Sequence, residues 1–366
     1  MRKSLLQACF ALGCLCVYSG LAFAQGFPFL RHNSILDSLQ SITASTVPSN
    51  GDLNPYGVAF VPAGFPSGGS TAAGDVLVSN FNASSNLEGT GTTIVSISPT
   101  GQQTLFATST LIGLTTALGV FSRGFVIVGN LPVSYSGGVF SAIGQGSLQI
   151  FDRKGNLVTT INDPKLLDSP WDLTINDQGS KAQVFVSNVL SGKVTRLDFT
   201  ISTNNVKLDS ETQIGSGFGT MIIPAIVAVG PTGLAYDPDR DILFVASTLD
   251  NEIFGIPNPV KRATDAGTGF MVFADQTHLH GPLGLTLAPN GNLITANGDA
   301  VNAGGKQNDL VEFTEQGMLV ATYQLDPGAP GAAFGIASTF SQGVIRFAAV
   351  DDDQNTLVVW TLRSPF

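Results

Sequence analysis

Six polar residues recur in the sequence where short apolar runs end, and their side chains could bind a cation or a polar ligand. They are Asn80, Asn130, Asn188, Asn297 and Asp351, with Thr248 in the remaining place. Carboxamide and carboxylate oxygens are ligands that hard cations prefer. Asn and Asp also hydrogen-bond the backbone of a following turn, so a structural role is the alternative. We treat the five Asn and Asp residues as candidate ligand-binding residues.

Asp172 is a second candidate because it departs from a recurring pattern. It lies in Pro170-Trp-Asp172-Leu-Thr-Ile, whereas Pro55-Tyr-Gly57-Val-Ala-Phe and Pro282-Leu-Gly284-Leu-Thr-Leu have glycine at the corresponding place. Departures from a local rule are common at functional sites. We therefore predict Asp172 as a catalytic residue or a metal ligand, with Asn188 as a second metal ligand.

His278 and His280 form a third candidate pair. Alternate residues of an extended chain point to the same side, so both imidazoles would share one face of this segment. Histidine titrates near neutral pH and is a common metal ligand. We predict His280 as a catalytic acid or base and His278 as a ligand-binding residue. Loop histidines are also common as surface polar residues, and that alternative stays open.

The elements that carry these residues repeat along the chain. A short apolar strand with a small residue or Asp172 near its start occurs six times, at positions 57, 119, 172, 233, 284 and 335, in steps of 62, 53, 61, 51 and 51 residues. Each step has room for about four strands, which is the content of one propeller blade. Turn-forming pairs such as Asn290-Gly291 separate the apolar runs. The sequence predicts an all-β fold, a six-bladed β-propeller with four-stranded blades around a central tunnel.

The glycines and the chain ends also fit a propeller. Inner strands crowd around the tunnel, so a residue without a Cβ lets neighbouring backbones approach. The sixth copy ends soon after Leu357-Val-Val-Trp-Thr-Leu362, which leaves its blade short of one strand. We therefore predict that residues 25–53 contain a strand, between Ser38 and Thr46, that completes the last blade. The propeller itself is predicted over residues 54–366.

Residues 1–24 have the layout of a secretory signal peptide. A basic start precedes an apolar run from Leu5 to Val17, and Ala22-Phe-Ala24 supplies the small-x-small cleavage pattern. A lipoprotein signal would require cleavage before Cys14, and the residues ahead of it fit that pattern poorly. We expect a secreted or periplasmic bacterial protein with no transmembrane anchor after cleavage.

Composition narrows the possible partners. All three cysteines lie within the predicted signal peptide, so the mature chain would contain no disulfide and no thiolate-bound metal. Its 15 basic and 27 acidic residues would give a net charge of −12. Nucleic-acid binding needs clustered Lys and Arg, so that class of partner is disfavoured. An unknown small molecule or an extracellular protein is the expected partner.

The repeated order of Pro-x-Gly, an apolar strand, a turn and an apolar strand that ends in Asn or Asp resembles NHL-type repeats. Over residues 54–362 it is similar, more broadly, to six-bladed gluconolactonase-like and paraoxonase-like propellers. For gluconolactonase-like members the resemblance implies a divalent metal in the tunnel, held by Glu, Asn and Asp from inner strands, with Asp172 as one ligand. The matching positions of other blades hold Tyr56, Thr232 and Leu283, so the ligand set is incomplete.

Two functions follow from these observations. The first is a ligand- or protein-binding scaffold that uses loops at one end of the tunnel. The second is a metal-assisted hydrolase (lactonase or esterase) or lyase, in which Asp172 and Asn188 hold one divalent cation such as Ca²⁺ or Zn²⁺ and His280 transfers a proton. We favour the scaffold, because the resemblance covers strands and turns rather than a catalytic signature.

Overall fold

The computed structural model describes residues 34–36, 41–137, 139–142, 145–223, 227–298, 309–328 and 331–363. Over these ranges the chain forms β-strands and turns, without a helix that could cross a membrane. The predicted signal peptide lies outside the described residues, so it stays a prediction.

Twenty-eight strands form six four-stranded antiparallel blades and two hairpins. The N-terminal strand is β1 (Ser41–Ser45). Blade 1 contains β2 (Leu53–Phe60), β3 (Val76–Asn82), β4 (Thr93–Ile97) and β5 (Gln103–Thr108). Blade 2 contains β6 (Leu114–Phe121), β7 (Phe125–Asn130), β10 (Ser147–Asp152) and β11 (Leu157–Ile161), and the hairpin β8 (Val133–Ser136) and β9 (Val139–Ala142) is inserted within it.

Blade 3 contains β12 (Pro170–Asp177), β13 (Lys181–Asn188), β14 (Lys193–Ile201) and β15 (Val206–Gly215). The second hairpin, β16 (Met221–Ile223) and β17 (Val227–Val229), follows it. Blade 4 contains β18 (Pro231–Asp237), β19 (Ile242–Ser247), β20 (Glu252–Pro257) and β21 (Phe270–Ala274). Blade 5 contains β22 (Pro282–Leu287), β23 (Asn292–Asn297), β24 (Leu310–Thr314) and β25 (Leu319–Tyr323). Blade 6 contains β26 (Ala333–Ser341), β27 (Val344–Asp351), β28 (Thr356–Arg363) and β1.

The first strand of each blade lies innermost, and these inner strands pack side by side in a closed ring, in which β26 contacts β2. The N-terminal strand β1 pairs antiparallel with β28, from Ser41 opposite Trp360 to Ser45 opposite Thr356. Blade 6 therefore combines strands from both ends of the chain. The predicted six-bladed propeller with four-stranded blades is confirmed.

The core consists of apolar layers between adjacent blades. Six clusters of buried side chains occupy the six blade-to-blade interfaces. The second strands β3 and β7 are buried along their whole length, whereas the outer strand β25 is largely exposed. This distribution follows from sheets that pack face to face, because both faces of a middle strand then contact a neighbouring blade.

The glycines of the inner strands lie where blades approach most closely. A Cβ on Gly57 would lie 2.8 Å from the Cβ of Leu118 in the next blade, and a Cβ on Gly335 would overlap the Tyr56 carbonyl. Glycine is therefore required by the contact between adjacent inner strands, as the sequence predicts.

The strand register corrects two assignments in the repeat. Val58 pairs with Val78 in blade 1, and Leu118 pairs with Val128 in blade 2, so the residue equivalent to Gly57 is Ala117 and not Gly119. The reason is one extra residue in β6 between Leu114 and Leu118, which the glycine pattern does not reveal. In blade 4, Ser247 rather than Thr248 pairs with Pro231 and ends the second strand.

Candidate functional site

The propeller has two distinct ends. We call the end where the inner strands begin the connector face, because the connections between blades arrive there. We call the other end the turn face, because tight turns there join the first and second strands of most blades. The predicted Asn and His residues lie on the connector face, since they end second strands or precede an inner strand.

The four predicted asparagines each hydrogen-bond the segment ahead of an inner strand, in blades 1, 2, 3 and 5. The Nδ2 atoms of Asn80, Asn130, Asn188 and Asn297 donate to the carbonyls of Thr46, Ile112, Leu166 and His278, at 3.1, 3.2, 3.2 and 2.8 Å. All four side chains are buried. Each carbonyl belongs to the segment that enters the same blade, so these amides fix that segment against the sheet. Their repeat thus has a structural explanation, and ligand binding by them stays a prediction.

Sequence reasoning missed two serines that connect adjacent blades. Ser187 Oγ accepts the N–H of Asp172 at 3.1 Å and donates to the Thr232 carbonyl of blade 4 at 2.6 Å. Ser79 makes the equivalent bonds, from the N–H of Gly57 at 2.9 Å and to the Thr115 carbonyl at 2.9 Å. The Ser-Asn pair in the last residues of both second strands was the available signal.

The two histidines lie in a turn ahead of the inner strand of blade 5. His278 Nδ1 lies 2.6 Å from Asp275 Oδ2, and His280 Nε2 lies 2.9 Å from the Thr277 carbonyl. The expected extended segment is not formed, because the N–H groups of His278 and Leu279 both donate to the Asp275 carbonyl in a turn, so strand alternation does not orient the two imidazoles. Neither imidazole lines the cavity. The roles proposed for His278 and His280 stay predictions.

Asp351 belongs to an acidic group on the connector face. Burial, followed by the charges of Asp326, Asp353 and Asp309, raises the pKa of Asp351 to about 6. Its Oδ1 accepts the N–H of Gln354 at 2.9 Å. This bond closes the turn after β27, so the visible role of Asp351 is structural.

An aromatic plug fills the connector end of the tunnel. Tyr56 stacks between Phe81 and Phe334, with ring centroids 4.4 Å away on each side, and Trp171 lies 5.9 Å from Tyr56. None of these four side chains is more than 5% exposed. The plug therefore blocks this end of the tunnel with residues from blades 1, 3 and 6.

The two inserted hairpins cover the plug. Val133 of β8 and Ala228 of β17 belong to the same buried cluster as Tyr56 and Trp171. Strands β9 and β17 also contact each other. The hairpins thus meet above the plug and close the connector face over it.

The turn end of the tunnel is an open cavity of about 280 Å³. It ends near Thr116 and Asp172, because Trp171, the residue before Asp172, already belongs to the plug. Most lining side chains are apolar, whereas polar atoms supply the larger part of the surface that the cavity exposes. The apolar side chains are those of Val58, Leu118, Leu173, Ile175, Leu234, Leu285 and Ile336, and the hydroxyls are those of Thr174, Thr286, Ser338 and Thr339. The tunnel is therefore a dead-end pocket that opens on the turn face.

Asp172 stands at the base of this pocket. Its Oδ1 accepts the N–H of Leu173 at 2.7 Å, and the Leu234 N–H of blade 4 also donates to the carboxyl. The side chain is accessible from the cavity but is otherwise enclosed by protein. Burial raises the pKa of Asp172 well above its ordinary value, and the two backbone bonds offset this only in part. The environment therefore favours the neutral acid.

The residues around Asp172 do not fit the metal that the resemblance implies. Tyr56 and Leu283 belong to the apolar plug cluster, and the Thr232 hydroxyl lies 2.8 Å from the Thr248 hydroxyl and 3.0 Å from the Pro282 carbonyl. Within the described ranges, no three His, Cys, Asp or Glu side chains are grouped so that they could hold a metal. A cation at Asp172 would find one carboxyl that already accepts two N–H groups.

The structure also does not bring together the residues of the predicted metal-assisted enzyme. Asn188 directs its amide to the Leu166 carbonyl, and the His280 imidazole contacts the Thr277 carbonyl in the turn ahead of blade 5. Only Asp172 of the three lines the cavity. No arrangement of a cation, two ligands and a histidine follows from these positions.

Comparisons with known proteins identify the fold. No protein-family model matches the chain, and no curated protein matches its sequence. A solved gluconolactonase from Xanthomonas campestris superposes with a TM-score of 0.54 at 13% identity, over 90% of this chain and 93% of that one. A calcium-binding protein, regucalcin, from Agrobacterium tumefaciens gives a TM-score of 0.52 at 12% identity, over 88% and 96%.

A third solved structure, of a nidogen/laminin complex, gives a TM-score of 0.50 at 11% identity, over 82% of this chain and 95% of that one. The chain therefore has the six-bladed fold of gluconolactonase-like and NHL-type propellers. Because enzymes and protein-binding domains both use such folds, the choice between them must come from the site.

Proposed function

We propose that this protein is an exported propeller that binds a small molecule in the turn-face cavity, with Asp172 at the base of the site. The proposal depends on one observation, the dead-end tunnel that has the plug at one end and an opening at the other. It moves the binding site from the connector-face loops, where the sequence analysis placed it, to the opposite end of the tunnel.

The composition of the cavity supports this proposal. Ligand sites are typically concave and mostly apolar, with a few polar groups that orient the ligand. At about 280 Å³ the cavity is at the small end of such sites. Its apolar side chains would contact the body of a ligand, and the carboxyl of Asp172 would orient one end.

Tryptophan fluorescence can test binding directly, because Trp171 lies beside Asp172 and Trp360 is the only other tryptophan. In a Trp360→Phe background, we expect 1-hexanol or n-hexylamine to change Trp171 emission in a saturable way. Ala337→Phe should abolish the change, because Ala337 lines the cavity. Ala263→Phe, at an exposed position outside it, should not.

The same titration should be repeated after dialysis against EDTA. Unchanged binding is expected, since the proposed site uses Asp172 as a hydrogen-bonding carboxyl and not as a metal ligand. Binding that disappears with the metal, or persists fully in Ala337→Phe, would contradict the proposal. Export is tested separately, by determining whether residues 1–24 are removed when the full chain is expressed in a bacterial host.

A further inference from the structure

We propose that the turn-face cavity selects small molecules that carry one basic amine at the end of an apolar body, with Asp172 as the counter-ion. This inference rests on the proposed function and specifies its ligand class. It uses the charge, shape and surroundings of the cavity.

The charge of the lining is one-sided. Asp172 is the only ionisable side chain among the described residues that line the cavity. No Lys, Arg or His partner faces its carboxyl, which interacts instead with the N–H groups of Leu173 and Leu234. A buried carboxylate without a counter-charge is unfavourable, and a ligand cation would supply the missing charge. A ligand carboxylate at the same place would find no positive charge among the described lining residues.

The side chains of the cavity walls allow the ligand to have an apolar body above its charged end. The hydroxyls that interrupt the apolar lining partly satisfy each other: Thr286 Oγ1 lies 3.0 Å from Ser338 Oγ, and Ser338 donates to the Leu287 carbonyl at 2.8 Å. At Asp172 itself, the nearby Thr116 hydroxyl is bound to the Trp171 carbonyl. Among the described residues, the carboxyl is therefore the only ionisable group that a ligand meets at the base of the pocket.

The approach to the cavity also favours cations. A groove of about 840 Å³ on the turn face shares Ser338 and Thr339 with the cavity. It is lined by the acidic residues Asp237, Asp239 and Glu315 against one base, Arg240. Arg240 forms ion pairs with Glu315 and Asp237. The groove thus has an acidic excess, and the whole chain has a net charge of −10, so the local potential should attract cations.

On the blade 1 side, Arg346 does not line the cavity itself, and its guanidinium packs against the lining residue Phe60. It lies over the Phe60 ring, 4.8 Å from the ring centroid, and donates to the Gly74 carbonyl. This cation therefore does not compensate Asp172.

The volume limits the size of the ligand. If each non-hydrogen atom takes about the 30 Å³ share of a water molecule, the cavity has room for roughly nine such atoms. The suitable probes are therefore n-hexylamine, 1-hexanol and hexanoate, which share a six-carbon chain and differ in the head group.

Isothermal titration calorimetry of the full mature chain at pH 7.5 can separate the outcomes. We expect n-hexylamine to bind more tightly than 1-hexanol, and hexanoate to bind weakest. Asp172→Gly should weaken the binding of n-hexylamine by about tenfold to a hundredfold and change the affinity for 1-hexanol by less than about threefold. Glycine is the natural residue here in four other blades, so this variant should fold.

Proton exchange provides a second measurement. If the amine enters as an ammonium ion and Asp172 starts as the neutral acid, binding releases one proton to the buffer. Titration in buffers of different ionisation enthalpy should detect release of up to one proton for the amine with the unmodified protein, and none with Asp172→Gly.

The possible failures can be distinguished. Equal binding of amine and alcohol, or amine binding that survives Asp172→Gly, would overturn the amine selectivity and leave the cavity as an apolar site. If none of the three probes binds, and Ala337→Phe behaves like the unmodified protein, the proposed function fails as well.

Discussion

The carboxyl of Asp172 bridges two blades, because it belongs to β12 of blade 3 and accepts the backbone N–H of Leu234 from β18 of blade 4. Where other blades have glycine, adjacent inner strands are in direct contact. Blade 3 instead places an ionisable group at this contact, beside the cavity. Such an arrangement has a measurable effect on stability.

Asp172→Gly should be at least as stable as the unmodified protein at pH 8, because it removes a buried carboxylate without a counter-ion. Because the pKa of Asp172 is raised in the folded state, the stability that Asp172 contributes is complete below its unfolded-state pKa of about 3.9 and is lost as the pH rises. We compare the free energies of unfolding of the variant and the unmodified protein. We expect this comparison to favour the variant by at least about 1 kcal/mol more at pH 8 than at pH 5. Urea unfolding at the two pH values measures this.

The exposed Asp239→Asn variant is the control for that measurement. It should shift stability by less than about 0.5 kcal/mol at both pH values. A stability difference between Asp172→Gly and the unmodified protein that does not change with pH would show that Asp172 has an ordinary pKa.

Asn188→Ala should destabilise the protein by about 1 kcal/mol or more, because the variant loses a buried amide that donates to the Leu166 carbonyl and leaves that carbonyl with the Thr195 hydroxyl as its donor. Thermal unfolding followed by circular dichroism would show this as a fall of several degrees. Asn162→Ala, at an exposed position, should leave the transition unchanged. If the two variants unfold at the same temperature, the hydrogen bond from Asn188 does not stabilise the segment that enters blade 3.

Much of the fold could be predicted from the sequence, because each blade repeats the same physical requirements. A close approach of inner strands requires a small residue, and a middle strand buried on both faces requires a continuous apolar run. The same logic failed in blade 2, where Thr115-Thr116-Ala117 replaces the Pro-x-Gly pattern and one residue is added. A local insertion of this kind changes the register without changing the composition.

The site could be predicted less well, since it depends on contacts between distant segments. Asp172 was found because it departs from its repeat. The open end of the tunnel was not predictable, because the plug combines Tyr56, Trp171 and Phe334 from three blades under two inserted hairpins. The asparagines suggested a binding rim, but each finds its partner in the segment ahead of its own blade.

Asp351→Asn should stabilise the protein at neutral pH. The folded-state pKa of about 6 lies above the unfolded value of about 3.9, so the stability that Asp351 contributes is complete below pH 4 and is lost as the pH rises through 6. Asparagine keeps the acceptor for the Gln354 N–H and removes the charge. We expect a gain of up to about 2 kcal/mol at pH 7.5 and little change at pH 4.5, measured by urea unfolding.

The exposed neighbour Asp353 supplies the matched variant. Asp353→Asn should stabilise the protein by a smaller amount, because its carboxyl contributes to the raised pKa of Asp351 only through its charge. Equal effects of the two substitutions, or an Asp351→Asn effect that is the same at both pH values, would contradict this explanation.

The N-terminal segment should be required for a stable ring. Glu312 is fully buried and accepts four hydrogen bonds, from Ser34 Oγ at 2.7 Å, the Ile35 N–H at 3.0 Å, Asn290 Nδ2 at 2.9 Å and Asn292 Nδ2 at 2.7 Å. Glu312→Ala would leave these donors without an acceptor, at an expected cost of about 3 kcal/mol or more. Glu252→Ala, at a half-buried position, should cost less than about 1 kcal/mol.

Deleting residues 27–50 is the more severe version of the same experiment, because it removes both the Ser34 contacts and β1. Strand β28 would then expose an unpaired edge, and blade 6 would be left with three strands. We expect loss of the cooperative unfolding transition and aggregation on size-exclusion chromatography, whereas removal of residues 1–24 alone should preserve a monodisperse folded protein. A deleted chain that still unfolds cooperatively, with the stability of the control, would mean that the ring does not need β1 for its closure.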